Sequence, residues 1–481
     1  MLHNSWILQL KNAILYIKLK NMRCKCPYFY CTIKAFKKQE EMVKMSSYVR
    51  RQTPGDTEWF VHDRFGMFIH FGLYSLPARH EWIKTYEKIS EEKYDTYFRH
   101  FDPDLYDPKD WARRAKAAGM KYVVLTTKHH EGFCLWNSAY TDYKVTNTPA
   151  GRDVLKEFVE AFRAEGLKIG LYYSLIDWHH PDFTIDYIHP RRSDPNAKVL
   201  NEGRDMKRYA AYMRHQVTEL LSNYGKIDIL WFDFSYKDLP PNVENAGEDI
   251  SWTKGKWKED WESDKLIETV RRYQPHIIIN NRTGLDQDIW TPEQTQPADW
   301  VRHPETGELV TWEACQTFSG AWGYHRDEMT WKSPEMLIHM LIKTVSCGGN
   351  LIMNVGPTAR GYFDKRACAA LEAYGAWMHV NSRSIYGCTM AEPELNAPQG
   401  CCYTQSADEK RLYVHLLEYP FRDLVLPNLY GKIEYIQFLH DGSELLLDET
   451  GERKENDKSV TITLPVVKPD VIVPVVEIFL K

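Results

Sequence analysis

No segment of this 481-residue chain is long and apolar enough to read as a transmembrane helix, so no membrane span is expected. Neither sign of charge dominates: 61 Lys and Arg against 66 Asp and Glu leave a net charge of -5, which argues against nucleic acid as a partner. No glycine-rich phosphate loop follows the first apolar strand candidate, which counts against a dinucleotide fold. Internal repeats and low-complexity tracts are lacking. The ten cysteines are scattered, with Cys401 and Cys402 adjacent, and form no disulfide framework. Reduced, buried thiols of the cytosolic kind are the expected state. Cys24, Cys26 and Cys31 lack a fourth metal ligand. Neither a metal nor a cofactor is expected.

The first fifty residues are strongly basic. Lys11, Lys18 and Lys20 interrupt their apolar residues, so the stretch makes a poor secretory signal. Residues 1–50 read as a non-native or disordered extension upstream of a later start at Met42 or Met45, or else as a membrane-surface arm. With no recognisable signal peptide, a cytoplasmic location is expected.

What is present is a large apolar complement, 43% of residues, with 16 Trp and 29 Tyr. From residue 60 apolar runs such as "KYVVLTTKHH", "KIGLYYSLIDW" and "KIDILWFDF" alternate with amphipathic patterns such as "VLKEFVEAFRAEG". Continuous apolar strands between helices imply parallel strands buried on both faces. Some seven such units predict an α/β fold, a (β/α)8-like TIM barrel, over residues 51–386. From Cys388 short strands with turn signals predict a small antiparallel β-sandwich over 387–481.

Polar residues gather at the C-terminal ends of the barrel strands, where active sites of this fold are built. They are His70, His129 and His130, Tyr173 with Asp177 and Trp178, Asp233, Arg282, and Asn350 with Asn354. In "RHEWIK", His80, Glu81 and Trp82 combine charge with an aromatic face, a pairing that suits a sugar. "KIDILWFDFSY" ends an apolar strand on Asp233, between Phe232 and Phe234, where a lone carboxylate is costly. Asp228, early in that run, reads as structural. Glu293 lies in the turn-rich "DIWTPEQTQP", and Glu313 of "TWEACQTF" is its rival. Two carboxylates across a cleft are the minimum equipment for glycoside hydrolysis.

The blocks "FGMFIHFGLYS", "HEWIK", "KYVVLTTKHHEGFCLWNS", "GLYYSLIDW", "IDILWFDF", "TWEACQTFSGAWGYHR" and "VSCGGNLIMNVGP" together resemble glycoside hydrolase family 29, the retaining α-L-fucosidases, in order from about residue 58 to 385. The resemblance implies a barrel followed by a β-sandwich and exo-hydrolysis of terminal α-L-fucosyl linkages in oligosaccharides or glycoconjugates. It implies Asp233 as nucleophile and Glu293 as acid/base. Phe68, His70, Glu81, Trp82, His129, His130, Tyr173, Trp231, Arg282 and Trp322 would bind the sugar. Phe68, Tyr173, Trp231 and Trp322 would seat its methyl group. Phe71, Glu131 and Phe234 depart from the family's usual Trp, Asp and small residue. The expected partner is a fucosylated glycan, with self-association left open. The rival classes are a non-catalytic fucose-binding protein and a metal-dependent barrel hydrolase.

Overall fold

The computed structural model describes residues 48–237, 253–448 and 458–481. The expected extension over residues 1–50, with its three cysteines, therefore lies almost wholly outside the described residues.

Seven parallel strands form one sheet: β1 (Phe65–Ile69), β2 (Tyr122–Lys128), β3 (Lys168–Ser174), β4 (Ile229–Asp233), β5 (Ile278–Ile279), β6 (Glu313–Thr317) and β7 (Asn350–Val355). Their spatial order is β5-β4-β3-β2-β1-β7-β6. Nearly every strand residue is buried, as expected when helices cover one face and the barrel interior the other. The principal helices are α1 (Pro108–Ala117), α2 (Val154–Ala164), α3 (Met206–Asn223), α4 (Ser263–Tyr273), α5 (Pro334–Ser346) and α6 (Lys365–Asn381). Asp107, Asp153, Asp205, Ser333 and Asp364 cap five of them by accepting first-turn amides, which satisfies donors the helix itself cannot.

The eighth stave is irregular. Between β5 and β6 the segment 289–294 runs parallel to both, held by isolated bridges from Asn280 to Ile289, Trp290 to Trp312 and Glu293 to Cys315. Backbone bonds from Trp290 N to Thr311 O (2.9 Å) and from Gln294 N to Cys315 O (3.1 Å) tie it to β6. β5 itself is short because the Asn280 side chain takes over its ladder. Its amide donates to Phe232 O at 2.8 Å and accepts from Phe232 N at 2.9 Å.

Side-chain alternation sorts each strand into an inner and an outer set. Phe68, Tyr122, Val124, Tyr172, Ile229, Trp231, Cys315 and Ile352 pack together inside the barrel. Met67, Val123, Leu171, Tyr173, Leu230, Phe232 and Met353 pack outward beneath the helices. Gly66 makes room for this inner layer, since a Cβ there would lie 2.2 Å from the Tyr122 ring.

The C-terminal strands form two antiparallel sheets. One has the order β12 (Ile433–Phe438), β15 (Val475–Leu480), β10 (Arg411–Leu416), β9 (Cys401–Ser406), β8 (Cys388–Thr389). The other has the order β11 (Asp423–Leu426), β14 (Val460–Thr463), β13 (Leu446–Asp448). Leu412, Val414 and Ile478 of the first share a core with Leu424, Leu426 and Ile462 of the second. No helix among the described residues is long and apolar enough to cross a membrane.

Candidate active site

The strand tips and the loops that follow them enclose a small cavity of about 40 Å³. Phe68, His70, Glu81, Trp82, His129, His130, Trp231, Asp233, Glu293 and Trp322, all singled out from sequence, line it. Tyr172, Phe234 and Cys315 complete the wall.

One sequence-based assignment is corrected. Tyr173 does not reach the cavity. It is fully buried under the helices, where its hydroxyl donates to Gln216 Oε1 at 2.8 Å and Lys128 Nζ sits 4.3 Å from its ring. Its strand neighbour Tyr172 occupies the inner face, paired in register with Trp231, whereas Tyr173 pairs with the outward Phe232. A one-residue slip in an alternating strand exchanges the faces. Two further tips also move. Asn350 is the first residue of β7, at the opposite barrel end, donating to Phe60 O at 2.7 Å. Asp177 pairs with buried Lys128 at 3.2 Å and does not line the cavity.

Arg282 is not on the wall but organises it. Its Nη1 donates to Asp233 Oδ1 at 3.0 Å and to Glu293 Oε2 at 2.8 Å. Nε and Nη2 are fixed on Thr291, each at 3.0 Å, and the guanidinium lies 4.9 Å from the Trp231 ring centre. Because one nitrogen holds both carboxylates, the two oxygens are no further apart than those two bonds end to end.

Asp233 also accepts the Tyr172 phenol at 2.9 Å on Oδ2. Burial raises its pKa to about 6, against the opposing pull of Arg282 and with a further push from Glu293. Glu293 stands at the rim with its side chain 43% exposed.

The network also fixes the histidine protons. Asn354 Nδ2 donates to Trp322 O at 2.6 Å, so its Oδ1 accepts from His70 Nδ1, also at 2.6 Å. Ser174 Oγ donates to Ile176 O, so it accepts from His130 Nδ1 at 2.7 Å. Burial, with the neighbouring His129, holds both rings well below the ordinary histidine pKa. Neutral and protonated at Nδ1, each keeps Nε2 as an acceptor for a hydroxyl. Glu81 Oε2 accepts the amides of Trp322 (3.1 Å) and Gly323 (2.8 Å), joining the loop after β1 to that after β6. Phe68, Trp231 and Tyr172 form an aromatic floor, with ring centres 5.3 to 5.8 Å apart. Acceptors above an apolar floor suit a ring with hydroxyls on one side and a bare face on the other.

Glu313, the rival acid, lies below the cavity and fully buried. It accepts Tyr122 Oη at 2.6 Å and Trp231 Nε1 at 3.2 Å, and burial pushes its pKa up to about 7. Asp228 accepts Ile169 N at 2.9 Å and Lys226 Nζ at 2.7 Å, a local bracing role at the start of β4. No cluster of three or more His, Cys, Asp or Glu among the described residues is arranged to hold a metal ion.

Comparison with known proteins gives one consistent result. The profile of the family described as alpha-L-fucosidase matches residues 31–383. Plasma alpha-L-fucosidase of Homo sapiens is 30% identical over 394 residues, covering 77% of each chain. Alpha-L-fucosidase isoenzyme 1 of Paenibacillus thiaminolyticus is 42% identical and superposes with a TM-score of 0.81, covering 89% of this chain and 99% of its own. An alpha-L-fucosidase of glycoside hydrolase family 29 from Bacteroides thetaiotaomicron, trapped as a covalent intermediate with 2-fluoro-fucosyl fluoride, is 27% identical. Its TM-score is 0.74, with 91% of this chain and 98% of that one covered.

Proposed function

This chain belongs to the alpha-L-fucosidase family of glycoside hydrolases, and from that premise we propose that it removes terminal α-L-fucose with Asp233 as nucleophile and Glu293 as acid/base. The observation that carries the assignment is the shared Arg282 nitrogen, which sets the two carboxylates on either side of one point at the cavity mouth.

In the first step Asp233 forms a bond to the anomeric carbon as the bond from that carbon to the leaving oxygen breaks. Glu293 gives its proton to that oxygen. In the second step Glu293 takes a proton from water, whose oxygen displaces Asp233 and releases fucose. Two displacements at one carbon return the original configuration. Arg282 and Tyr172 both favour the ionised Asp233 that attacks. They also stabilise the carboxylate when it leaves again in the second step. The rim position of Glu293 fits a group that must be protonated in one step and deprotonated in the next. His70 and His130 accept sugar hydroxyls, and the floor of Phe68, Tyr172 and Trp231 takes the C6 methyl.

The test is hydrolysis of 4-nitrophenyl α-L-fucoside by the wild type and by Asp233→Ala. The wild type should release nitrophenol, and the variant should lose at least about three decades in kcat, the scale of losing a covalent nucleophile. A variant that keeps most of its activity would remove Asp233 from the role.

A further inference from the structure

Ten non-glycine residues among those described have positive φ. Three of them stand directly beside the three carboxylates that line the cavity. His80 (φ 141) precedes Glu81, Phe234 (φ 82) follows Asp233, and Gln294 (φ 48) follows Glu293. A side chain bearing a Cβ resists this backbone region, and such residues persist where their surroundings dictate them, often at functional sites.

The three turns have a common result. While each carboxylate faces the inner cavity, its neighbour lines a second, far larger space of about 1070 Å³ that opens outward from it. Glu81, Trp82, Phe234, Glu293 and Trp322 border both spaces, so the outer one is continuous with the point where the leaving group departs.

We propose that His80, Phe234 and Gln294, together with Tyr86, form the subsite for the sugar that carries the fucose and so decide which carrier is accepted. This rests on the fucosidase reading above. Phe234 is held by Trp82, His130 and Tyr236, with ring centres 5.2 to 5.3 Å away, and presents an aromatic face at the junction of the two spaces. Tyr86 is 65% exposed and stacks on Trp82 at 5.8 Å, a second flat surface further out. Aromatic faces in an outward groove suit the bare face of a pyranose. His80 Nδ1 accepts the Trp82 amide at 3.0 Å, so the proton of the neutral ring is on Nε2, a donor for a hydroxyl. Gln294 Nε2 donates to Thr317 Oγ1 at 3.1 Å, leaving its oxygen as the acceptor it can offer. Each carboxylate that handles fucose is thereby linked, through one turned residue, to a group that handles its carrier.

The experiment compares kcat/KM for 4-nitrophenyl α-L-fucoside with that for fucosylated trisaccharides of α-1,2, α-1,3 and α-1,6 linkage. It uses the wild type, Phe234→Gly and Gln294→Ala. Glycine adopts φ 82 without strain, so Phe234→Gly keeps the turn while removing the ring. For at least one trisaccharide each variant should lose about tenfold more kcat/KM than it loses for the nitrophenyl fucoside, the scale of one stacking contact or hydrogen bond. Equal losses on every substrate, or ratios unchanged within about twofold, overturn the subsite while leaving the fucosidase reading intact. A wild type that cleaves neither kind of substrate overturns that reading, and the subsite with it.

Discussion

The phenol of Tyr172 donates to Asp233 Oδ2 at 2.9 Å, which makes this tyrosine, not the one after it, the direct neighbour of the proposed nucleophile. A hydrogen bond to the charged form lowers a carboxylate pKa. Tyr172→Phe should therefore raise the Asp233 pKa above its value of about 6 and reduce kcat roughly tenfold, the equivalent of one such bond. Tyr173→Phe should leave kcat/KM unchanged and lower the denaturation midpoint, because it strands buried Gln216 Oε1, at about 1–3 kcal/mol. Equal kinetic effects of the two substitutions would contradict the placement of both residues.

As the proposed nucleophile, Asp233 would work only when ionised, and burial holds its pKa near 6 rather than 3.8. The kcat/KM profile should therefore fall on the acid side through about pH 6, two units above an ordinary aspartate. Arg282 opposes that rise. Removing its charge in Arg282→Met should move the acid limb to still higher pH, as measured by kcat/KM across the range. A limb that stays in place would show that another group governs it.

Azide separates the two carboxylates by the product each variant makes. Glu293→Ala should still be glycosylated at Asp233 by an activated fucoside that needs no acid. Azide should then restore turnover and yield α-fucosyl azide, the result of two inversions. Asp233→Gly should give β-fucosyl azide by a single inversion. Product configuration, read by NMR, checks both assignments, and exchanged products would exchange the roles.

Glu313 accepts from Tyr122 and Trp231 below the cavity. Glu313→Ala leaves two buried donors unpaired and should destabilise the fold by about 1–3 kcal/mol for each. The titration of this carboxyl also leaves a mark. Its folded pKa of about 7 lies above the ordinary 4.5. Its stabilising contribution is therefore complete below pH 4.5 and is lost as pH rises through about 7. Compared with Glu313→Gln, which does not titrate, the wild type should lose relative stability between about pH 4.5 and 7. Denaturant midpoints at the two ends of that window measure it.

Much of the barrel was legible because strands buried on both faces are continuous apolar runs, and those runs are conspicuous between amphipathic helices. The eighth stave was not, since "DIWTPEQTQP" carries two prolines and pairs by isolated bridges rather than by a ladder. "HIIINNR" reads as a longer strand than β5 because nothing local reveals that Asn280 will substitute its side chain for the backbone. In the site, strand tips and the "RHEWIK" loop announced themselves by placing charge beside aromatics. The Tyr172 and Tyr173 pair did not, because composition is identical at both positions and only the register against Trp231 and Asp233 sets the inward parity. Counting back in twos from Asp233 along β4, then across to β3, is the signal that could have found it. Cys315 was overlooked because a cysteine in an apolar run reads as core, although it shares the inward parity of Glu313. Asn350 was misplaced for lack of a strand start, since two glycines precede it without marking where pairing begins.

The irregular stave gives the two acids unlike mountings. Asp233 ends a strand gripped by β3 on one side and, one residue earlier, by the Asn280 amide on the other. Glu293 rides on a stretch pinned at a few separate points. Resistance to local opening follows the density of such ties. The site is thus a vice with one fixed jaw and one sprung jaw. In the proposed mechanism the fixed jaw makes and breaks a covalent bond at a single point. There the sprung jaw would serve two oxygens in succession, that of the departing sugar and that of the incoming water.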